Sequence, residues 1–224
     1  DGAEGGYIGA PKFPLPNNWQ FMLRYAHLMK ADEADKALHL TLKKMAFGGI
    51  YDHIGGGFAR YSVDERWHVP HFEKMLYDNA QLVSLYAQAY QYAPNELYKQ
   101  IVYQTLDFIK RELTSPETGF YSALDADSEG VEGKFYTFSY HELFEVLGDE
   151  ASLFCTYYNV VENGNWPEEN TNVLFRNKTD EALANELNIP VDQLKVRIKQ
   201  ARDKIFAYRA QRIRPGLDNK ILTA

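Results

Sequence analysis

The sequence is poor in cysteine: Cys155 is the single thiol among 224 residues. One cysteine excludes an internal disulfide, a CxxC redox pair and a zinc site built from several cysteines. The apolar run 153–157 around it predicts a buried, unreactive thiol. This composition agrees with a reducing compartment, so we expect a cytoplasmic protein.

Positive charge is also scarce. The chain has 24 Lys and Arg against 31 Asp and Glu, a formal net charge of −7. Nucleic-acid-binding proteins usually carry a basic excess or a basic stripe, so we expect no nucleic-acid partner. No apolar run approaches the roughly 20 residues of a membrane span, which predicts no membrane partner. The acidic, glycine-rich residues 1–6 show no secretory signal or transit peptide.

Apolar and aromatic residues are well represented. Hydrophobic residues make up 45% of the chain and charged residues 25%, which is ordinary for a globular protein with a real core. The 16 Tyr, 13 Phe and 3 Trp suit either a large half-wet cavity or a core with many polar-tipped rings.

Apolar periodicity predicts a mostly helical chain. Helices are predicted over residues 19–29, 33–47, 70–91, 95–113, 139–148, 179–187 and 190–211. Asn17 or Asn18 is expected to cap the first helix, and Ser139 with Glu142 has the pattern of a capping box. Residues 119–138 read as a β-hairpin with a long polar tip, and 157–161 and 173–175 as short strands.

A weak internal repeat indicates how these helices are arranged. Gly57-Phe58 recurs as Gly119-Phe120, and each copy follows a helix pair. A helix pair with a protruding loop cannot bury both faces alone, so stacking into a ring or solenoid is favoured. The fold expected is all-α: an incomplete α/α toroid with inserted short β-hairpins, one domain over 1–224. Since the chain stops as an apolar segment begins, we expect a truncated piece.

The densest cluster of chemically versatile residues is 48–80. Glycine-rich, aromatic and charged loops on a rigid scaffold often carry binding or catalysis. Gly55–Gly57 lacks the spacing of a phosphate-binding loop and predicts a tight turn. Pro70 is expected to begin a helix with His71, Lys74 and Asp78 on one face. Because that proline separates His68 from His71, acid–base chemistry or hydroxyl recognition is favoured over a metal pair.

A second cluster holds Asp125, Asp127 and Glu129. Close carboxylates can have pKa values pushed apart, giving the acid and the base that glycoside hydrolysis needs. A solvated acidic turn is the structural alternative. Tyr51, Phe58, Tyr61 and Trp67 could stack on a sugar ring or lie in the core.

Together these patterns define the candidate site. The candidate catalytic residues are His68, His71, Asp78 and Asp127. The candidate substrate-binding residues are Tyr51, Asp52, His53, Arg60, Trp67, Glu73 and Asp125. No metal and no cofactor is expected.

Five segments carry a resemblance to a known family. They are residues 9–14 (GAPKFP), 48–58 (GGIYDHIGGGF), 66–80 (RWHVPHFEKMLYDNA), 120–129 (FYSALDADSE) and 218–222 (DNKIL). The chain resembles the thioredoxin-domain-containing proteins related to spermatogenesis-associated protein 20. The resemblance implies an N-terminal thioredoxin-like domain, absent from this sequence, and a toroid similar to the (α/α)6 barrels of N-acylglucosamine 2-epimerases and six-hairpin glycosidases.

Two hypotheses about function follow. In the first, the intact toroid acts on a small molecule of the saccharide class, as an epimerase using His68 or His71 or as a glycosidase using two of the carboxylates. In the second, it is a non-catalytic binding module serving the thioredoxin-like domain. Convergence of the four catalytic candidates on one pocket favours the first. Half a toroid is expected to have little activity of its own and to self-associate through exposed apolar helix faces.

Overall fold

The computed structural model describes residues 1–222 and is mainly helical. The helices are α1 (Pro16–Met29), α2 (Asp32–Phe47), α3 (Leu76–Tyr92), α4 (Glu96–Glu112), α5 (Tyr140–Leu147), α6 (Ala151–Tyr157), α7 (Asp180–Leu187) and α8 (Val191–Arg209). The strands are β1 (Tyr61–Ser62), β2 (Pro70–His71), β3 (Lys74–Met75), β4 (Tyr121–Leu124), β5 (Asp127–Ser128), β6 (Val131–Glu132) and β7 (Leu217–Ile221). The prediction of a mostly helical chain with short hairpins is confirmed, whereas closure into a toroid stays a prediction.

The helices pack around two apolar cores. In the first core, α1 packs on α2 and α3, and α3 packs on α4, burying Leu42, Phe58 and Leu82 completely. In the second core, α8 packs on α5, α6 and α7 and buries Leu194 and Ile205. The loops and short strands of residues 48–75 and 115–138 contribute to both cores: Ile50, Phe58 and Trp67 belong to the first core, and Ile54 and Phe138 belong to the second.

Local capping signals account for several helix starts. The Ser139 side chain accepts from the Glu142 amide at 3.1 Å while Glu142 reaches back to Ser139, which confirms the predicted capping box. Thr179 caps α7 as predicted. The prediction for α1 was wrong by one turn: the helix begins at Pro16 and neither Asn17 nor Asn18 caps it, because proline at the first helical position already has helical φ.

The predicted helix start at Pro70 is wrong. Residues 70–75 are extended, β2 pairs with β1 and β3 pairs with β4, and α3 begins only at Leu76. Burial alternates along this segment, since Pro70, Phe72 and Lys74 are buried while His71 and Glu73 are partly exposed. That alternation has the period of a strand. His71, Lys74 and Asp78 therefore share no helical face.

The predicted hairpin over 119–138 is also different. β4 forms the centre of a three-stranded antiparallel sheet between β3 and β7, and the polar tip forms its own small hairpin, β5–β6. Residues 157–161 and 173–175 are not strands. The buried Asn172 side chain satisfies backbone groups there that strand pairing would otherwise satisfy. It accepts from the Val161 amide at 2.9 Å and donates to the Phe138 and Val161 carbonyls.

The two halves of the proposed repeat are not equivalent. Phe58 is fully buried in the first core, whereas Phe120 is 45% exposed. Cys155 is buried in the second core, and burial raises the pKa of its thiol to about 11, which confirms the predicted buried thiol. None of the helices described over 1–222 has the length and apolar character needed to cross a bilayer.

Candidate functional site

A buried ionic network lies between the two cores, centred on Asp52. Arg209, at the end of α8, donates to both Asp52 carboxylate oxygens at 2.9 Å. Lys74, in β3, donates to the same carboxylate at 2.8 Å. The side chains of Asp52, Lys74 and Arg209 are only 8%, 3% and 5% exposed. The network therefore ties α8 of the second core to the loop and strand beside the first.

The glycine turn holds Asp52 in place. Its carboxylate accepts from the amides of Ile54 and Gly55 at 2.9 Å, and Lys74 donates to the Gly56 carbonyl at 3.0 Å. Gly57 has φ of 82°, and a Cβ there would lie 2.5 Å from the Phe108 ring. The predicted tight turn is confirmed, because only glycine fits both that φ and that contact.

Burial and pairing act in opposite directions on these charges. Burial by itself raises the pKa of Asp52, but the charges of Arg209 and Lys74 outweigh it and hold that pKa well below its usual value. Burial lowers the pKa of Lys74 to about 8, against the attraction of Asp52. The Lys74 ammonium also lies 4.6 Å from the Phe108 ring centroid and 4.7 Å from that of Tyr136.

The cavity beside this network is small. It has a volume of about 20 Å³ and is lined by Asp52, His53, Lys74 and Tyr136 among others. That is room for about one water molecule and not for a sugar. Asp52 and His53, which were predicted to bind substrate, line this small cavity and have structural contacts instead.

A second group of candidates meets at the surface. His71 Nδ1 lies 2.8 Å from Glu132 Oε1, and His71 Nε2 lies 3.6 Å from Glu73 Oε2. The Arg60 guanidinium lies 3.5 Å from the same Glu73 oxygen. Asp127 pairs directly opposite Glu132 in the β5–β6 hairpin, which puts both side chains on one face. With Asp78, considered next, these residues form what we call the His71 surface: Arg60, His71, Glu73, Asp78, Asp127 and Glu132.

Asp78 is a partly buried acid of the His71 surface. Burial raises its pKa to about 6, with Arg60 opposing and Glu73 adding to that shift. Its Oδ2 atom is buried and has no hydrogen-bond partner within residues 1–222. A carboxyl group with a pKa near 6 can hold or release a proton close to neutral pH, which is what general acid–base chemistry requires.

Aromatic rings border the His71 surface. The Tyr61 ring stacks on His71 with centroids 5.0 Å apart, and the Phe13 ring centroid lies 4.7 Å from that of Tyr61. Phe13 is 40% exposed. Carboxylates beside an accessible aromatic ring are suited to a polyhydroxylated ligand, whose hydroxyls donate to the acids while an apolar ring face packs on the aromatic group.

Other candidates have structural environments. His68 lies 3.2 Å from the Asn165 side-chain oxygen and packs on Phe175, and burial lowers its pKa. His53 contacts the Phe47 and Gly48 carbonyls, and burial lowers its pKa to about 3, so the ring is neutral. Neither histidine contacts the His71 surface.

The aromatic platform predicted from the sequence divides between core and surface. Tyr51, Phe58 and Trp67 are buried in the first core, and only Tyr61 borders the His71 surface. The Tyr51 hydroxyl pairs with Gln104 at 2.7 Å. Asp125 is exposed and accepts from the Ala126 amide at 2.7 Å, so it shapes the turn that carries Asp127.

Sequence reasoning missed three residues. Arg209 and Glu132 were not singled out, and Lys74 was expected on a helix face with Asp78. The alternating apolar and polar pattern of 69–75 carried a strand signal that would have turned Lys74 inward. Nothing in the local sequence of Arg209 points to Asp52, which lies 157 positions earlier.

The fold and the site define a mainly helical domain with a buried ionic junction and an acidic, histidine-bearing surface. No protein-family model matches the chain. The chain is similar to spermatogenesis-associated protein 20 of Homo sapiens and of Mus musculus, with 36% identity over 98% of this chain and 32% and 31% of those proteins. An uncharacterized protein of Caenorhabditis elegans is also 36% identical, over 100% of this chain and 34% of its own length. These matches support the predicted relationship, and the chain spans about a third of the relatives it matches.

The Asp78 environment predicts a pH-dependent gain in stability for Asp78→Asn. A raised folded-state pKa means that the contribution of Asp78 is fully present below its unfolded value near 3.8 and is lost as the pH rises through about 6. Asparagine carries no charge to bury, so we expect the variant to be more stable than wild type by about 1 kcal/mol at pH 7.5, after discounting for partial exposure.

Urea unfolding at pH 7.5 and pH 4.5 checks this. The extra stability of Asp78→Asn over wild type should be smaller at pH 4.5, where Asp78 of the folded wild type is largely protonated. Asp149→Asn, which changes an exposed carboxylate, is the control and should show the same small difference at both values. An Asp78→Asn variant that is less stable than wild type at pH 7.5 would contradict the assignment.

Proposed function

We propose that the His71 surface binds a polyhydroxylated small molecule, with a saccharide as the ligand class. The observation that carries this proposal is that five separately predicted residues meet there: Arg60, His71, Glu73, Asp78 and Asp127. The His71 imidazole, 2.8 Å from Glu132 and 3.6 Å from Glu73 and stacked on the Tyr61 ring, suits hydroxyl recognition.

We further propose acid–base chemistry at this surface in the intact protein. Asp78, with a pKa near 6, is suited to donate and accept a proton, and Glu132 orients the His71 ring through its 2.8 Å contact. His71 and Asp127 remain the other catalytic candidates. Epimerisation would use Asp78 and His71 as base and acid, whereas hydrolysis would use two carboxylates, Asp78 and Asp127.

The proposal places the chain in a larger protein. The similarity to spermatogenesis-associated protein 20 over nearly the whole chain supports a relationship to that family. We propose that the chain forms part of an epimerase-like or glycosidase-like toroid in a protein with a thioredoxin-like domain. Cytoplasmic residence remains part of the proposal. Exposed apolar side chains on α1, such as Phe21 and Leu28 at 66% and 75% exposed, support self-association of the chain.

A saccharide-binding screen tests the proposal. The chain is screened against a sugar library by thermal shift, and hits are measured by calorimetry with Asp78→Asn, His71→Ala and Asp127→Ala. We expect a sugar with micromolar to millimolar affinity, weakened at least about tenfold in Asp78→Asn, because one charge-assisted hydrogen bond contributes about 1.5–3 kcal/mol.

Glu129→Gln is the matched control for this screen. Glu129 belongs to the same polar tip but pairs with Lys134 at 2.7 Å instead of with His71. Its substitution should leave sugar affinity unchanged. Absence of binding by folded wild-type protein across the library would exclude saccharide recognition by this chain.

A non-catalytic module is the second candidate function. The observation in its favour is that Tyr51, His53 and Trp67, which were expected to bind substrate, are buried and hydrogen-bonded to other residues of the fold. In that case the His71 surface would dock a partner domain. Binding to a thioredoxin-like domain, weakened by the same His71→Ala variant, would support this function over sugar recognition.

A further inference from the structure

A large groove separates the two helical cores on a face distinct from the His71 surface. It has a volume of about 850 Å³, which is in the range of small-molecule sites. Residues of α2, α4, α7 and α8 line it, with Tyr157 and Arg176 between them. We call it the Arg202 groove, after the arginine of α8 that lines it.

Arg202 is a cation without a counter-ion among residues 1–222. No carboxylate of residues 1–222 forms an ion pair with it, and its Nε atom is buried without a hydrogen-bond partner there. Its guanidinium faces a neutral acceptor: in the orientation that satisfies both ends of the Gln104 amide, the amide oxygen lies 3.2 and 3.3 Å from the Arg202 nitrogens. In the same orientation, the amide nitrogen of Gln104 donates to the Tyr51 hydroxyl at 2.7 Å. A partly desolvated guanidinium with only neutral partners is unfavourable unless an anion joins it.

Other cations line the same groove as Arg202. The Arg176 guanidinium lies 4.5 Å from the ring centroids of both Phe47 and Tyr157, and these two contacts fix its position. Lys43 lies 5.5 Å from the Phe47 ring and has no carboxylate partner within residues 1–222. The groove thus presents positive groups of which three, Lys43, Lys195 and Arg202, form no ion pair within residues 1–222.

The acids of the groove are mostly engaged. Asp180 pairs with Arg176 and accepts from the Tyr157 hydroxyl at 2.7 Å. Asp203 pairs with Lys199 at 2.7 Å. Glu96 lies 3.8 Å from Lys99, and Glu181 shares the groove wall with Lys195. Since these carboxylates have cations beside them, they leave Arg202 unneutralised.

We propose that the Arg202 groove binds a small organic oxyanion, anchored by Arg202. The shared chemistry is a compact group with two or three negatively charged oxygens, a phosphoryl or a carboxylate group, which a guanidinium matches with paired N–H donors. The volume leaves space for an organic body beside the anion.

Ligand titrations at constant ionic strength test this site. Inorganic phosphate and, separately, acetate replace chloride while the thermal midpoint and the ¹H–¹⁵N spectrum of the chain are followed. We expect saturable binding with shifts confined to residues around Arg202, Gln104 and Tyr157. Tighter binding of phosphate would assign a phosphoryl group to the ligand, and tighter binding of acetate would assign a carboxylate.

Matched variants separate a built site from general charge. Arg202→Gln should weaken binding at least about tenfold, while Lys204→Gln, the same change of charge on an exposed position of α8, should leave it unchanged. Lys43→Gln, across the groove, is the second variant and serves if Arg202→Gln does not fold. It is expected to weaken binding as well.

Three results would overturn the inference. One is the absence of saturable binding of either anion to wild type. Another is equal affinity in the wild type and in folded Arg202→Gln and Lys43→Gln, which would indicate an adventitious ion only. The third is a set of spectral shifts spread over the whole surface, which would have the same meaning and does not depend on any variant folding.

Discussion

Asp52→Asn should destabilise the protein by about 3–5 kcal/mol. The substitution keeps the shape of the side chain and an oxygen for the Ile54 and Gly55 amides. It removes the charge that Lys74 and Arg209 share at 2.8 and 2.9 Å, in side chains that are 3% and 5% exposed. Two buried cations then lose their counter-ion, and the fold cannot relax them into water without separating α8 from the glycine turn.

Urea unfolding at pH 7 measures this loss, with Asp125→Asn as the matched control. Asp125 also accepts a backbone amide, at 2.7 Å from Ala126, but it is exposed and has no ion pair within residues 1–222. Its substitution should change the free energy of unfolding by less than about 1 kcal/mol. A loss below 1 kcal/mol for Asp52→Asn would show that the junction contributes little net stability.

The lowered pKa of Asp52 predicts how the stability loss in Asp52→Asn depends on pH. Asp52 has a lowered pKa in the folded state, so its contribution is fully present above its unfolded value near 3.8 and is lost as the pH falls through the folded value below it. The part of the stability difference between wild type and Asp52→Asn that comes from the ionisation of Asp52 should therefore be constant from pH 5 to 7. It should narrow only in stronger acid.

Trp67→Ala should also destabilise the protein, by about 3–5 kcal/mol. Trp67 is fully buried, and its indole N–H donates to the Glu4 carbonyl at 2.9 Å. The ring packs so closely on Gly6 that a Cβ there would lie 2.7 Å from it, and the Lys12 ammonium lies 5.4 Å from the ring centroid. Truncation removes a large apolar volume and leaves the Glu4 carbonyl unpaired.

Trp67→Phe separates packing from ligand binding. It keeps an aromatic ring and loses the indole hydrogen bond, so we expect a smaller loss, about 1–2 kcal/mol. Tyr77→Ala, at a 38% exposed ring, is the surface control and should lie within about 0.5 kcal/mol of wild type. If folded Trp67→Phe lost sugar binding while retaining most of its stability, Trp67 would have a role at the ligand that its burial does not suggest.

The helices could be predicted from the sequence because their signals are local. Ser139 and Glu142 are three positions apart, and the apolar periodicity of α2 and α4 lies within each helix. The start of α3 could not be placed in this way. Pro70 is compatible with a first helical turn and with a strand, and the choice depended on pairing with β1 and on the contact of β3 with β4, which come from elsewhere in the chain.

The candidate site was predicted in its composition but not in its arrangement. His71, Glu73, Asp78 and Asp127 were identified from residue type and neighbourhood, and the structure brings them to one surface. His68, only three positions from His71, faces Asn165 instead, because residues 67–71 combine a left-handed residue, Trp67 at φ of 62°, with a strand.

The sequence by itself determined the helical character, the glycine turn, the buried thiol and the residue types that could do acid–base chemistry. These properties follow from side-chain size, charge and short-range spacing. The tertiary structure decided which charges are buried and which remain at the surface. Asp52 is neutralised by Arg209, whereas Asp78 is half-buried and forms no ion pair within the part of the chain that the structure describes, because burial and long-range pairing depend on where distant segments pack. The same packing turned two acids of similar intrinsic chemistry into a structural junction and a proton-carrying candidate.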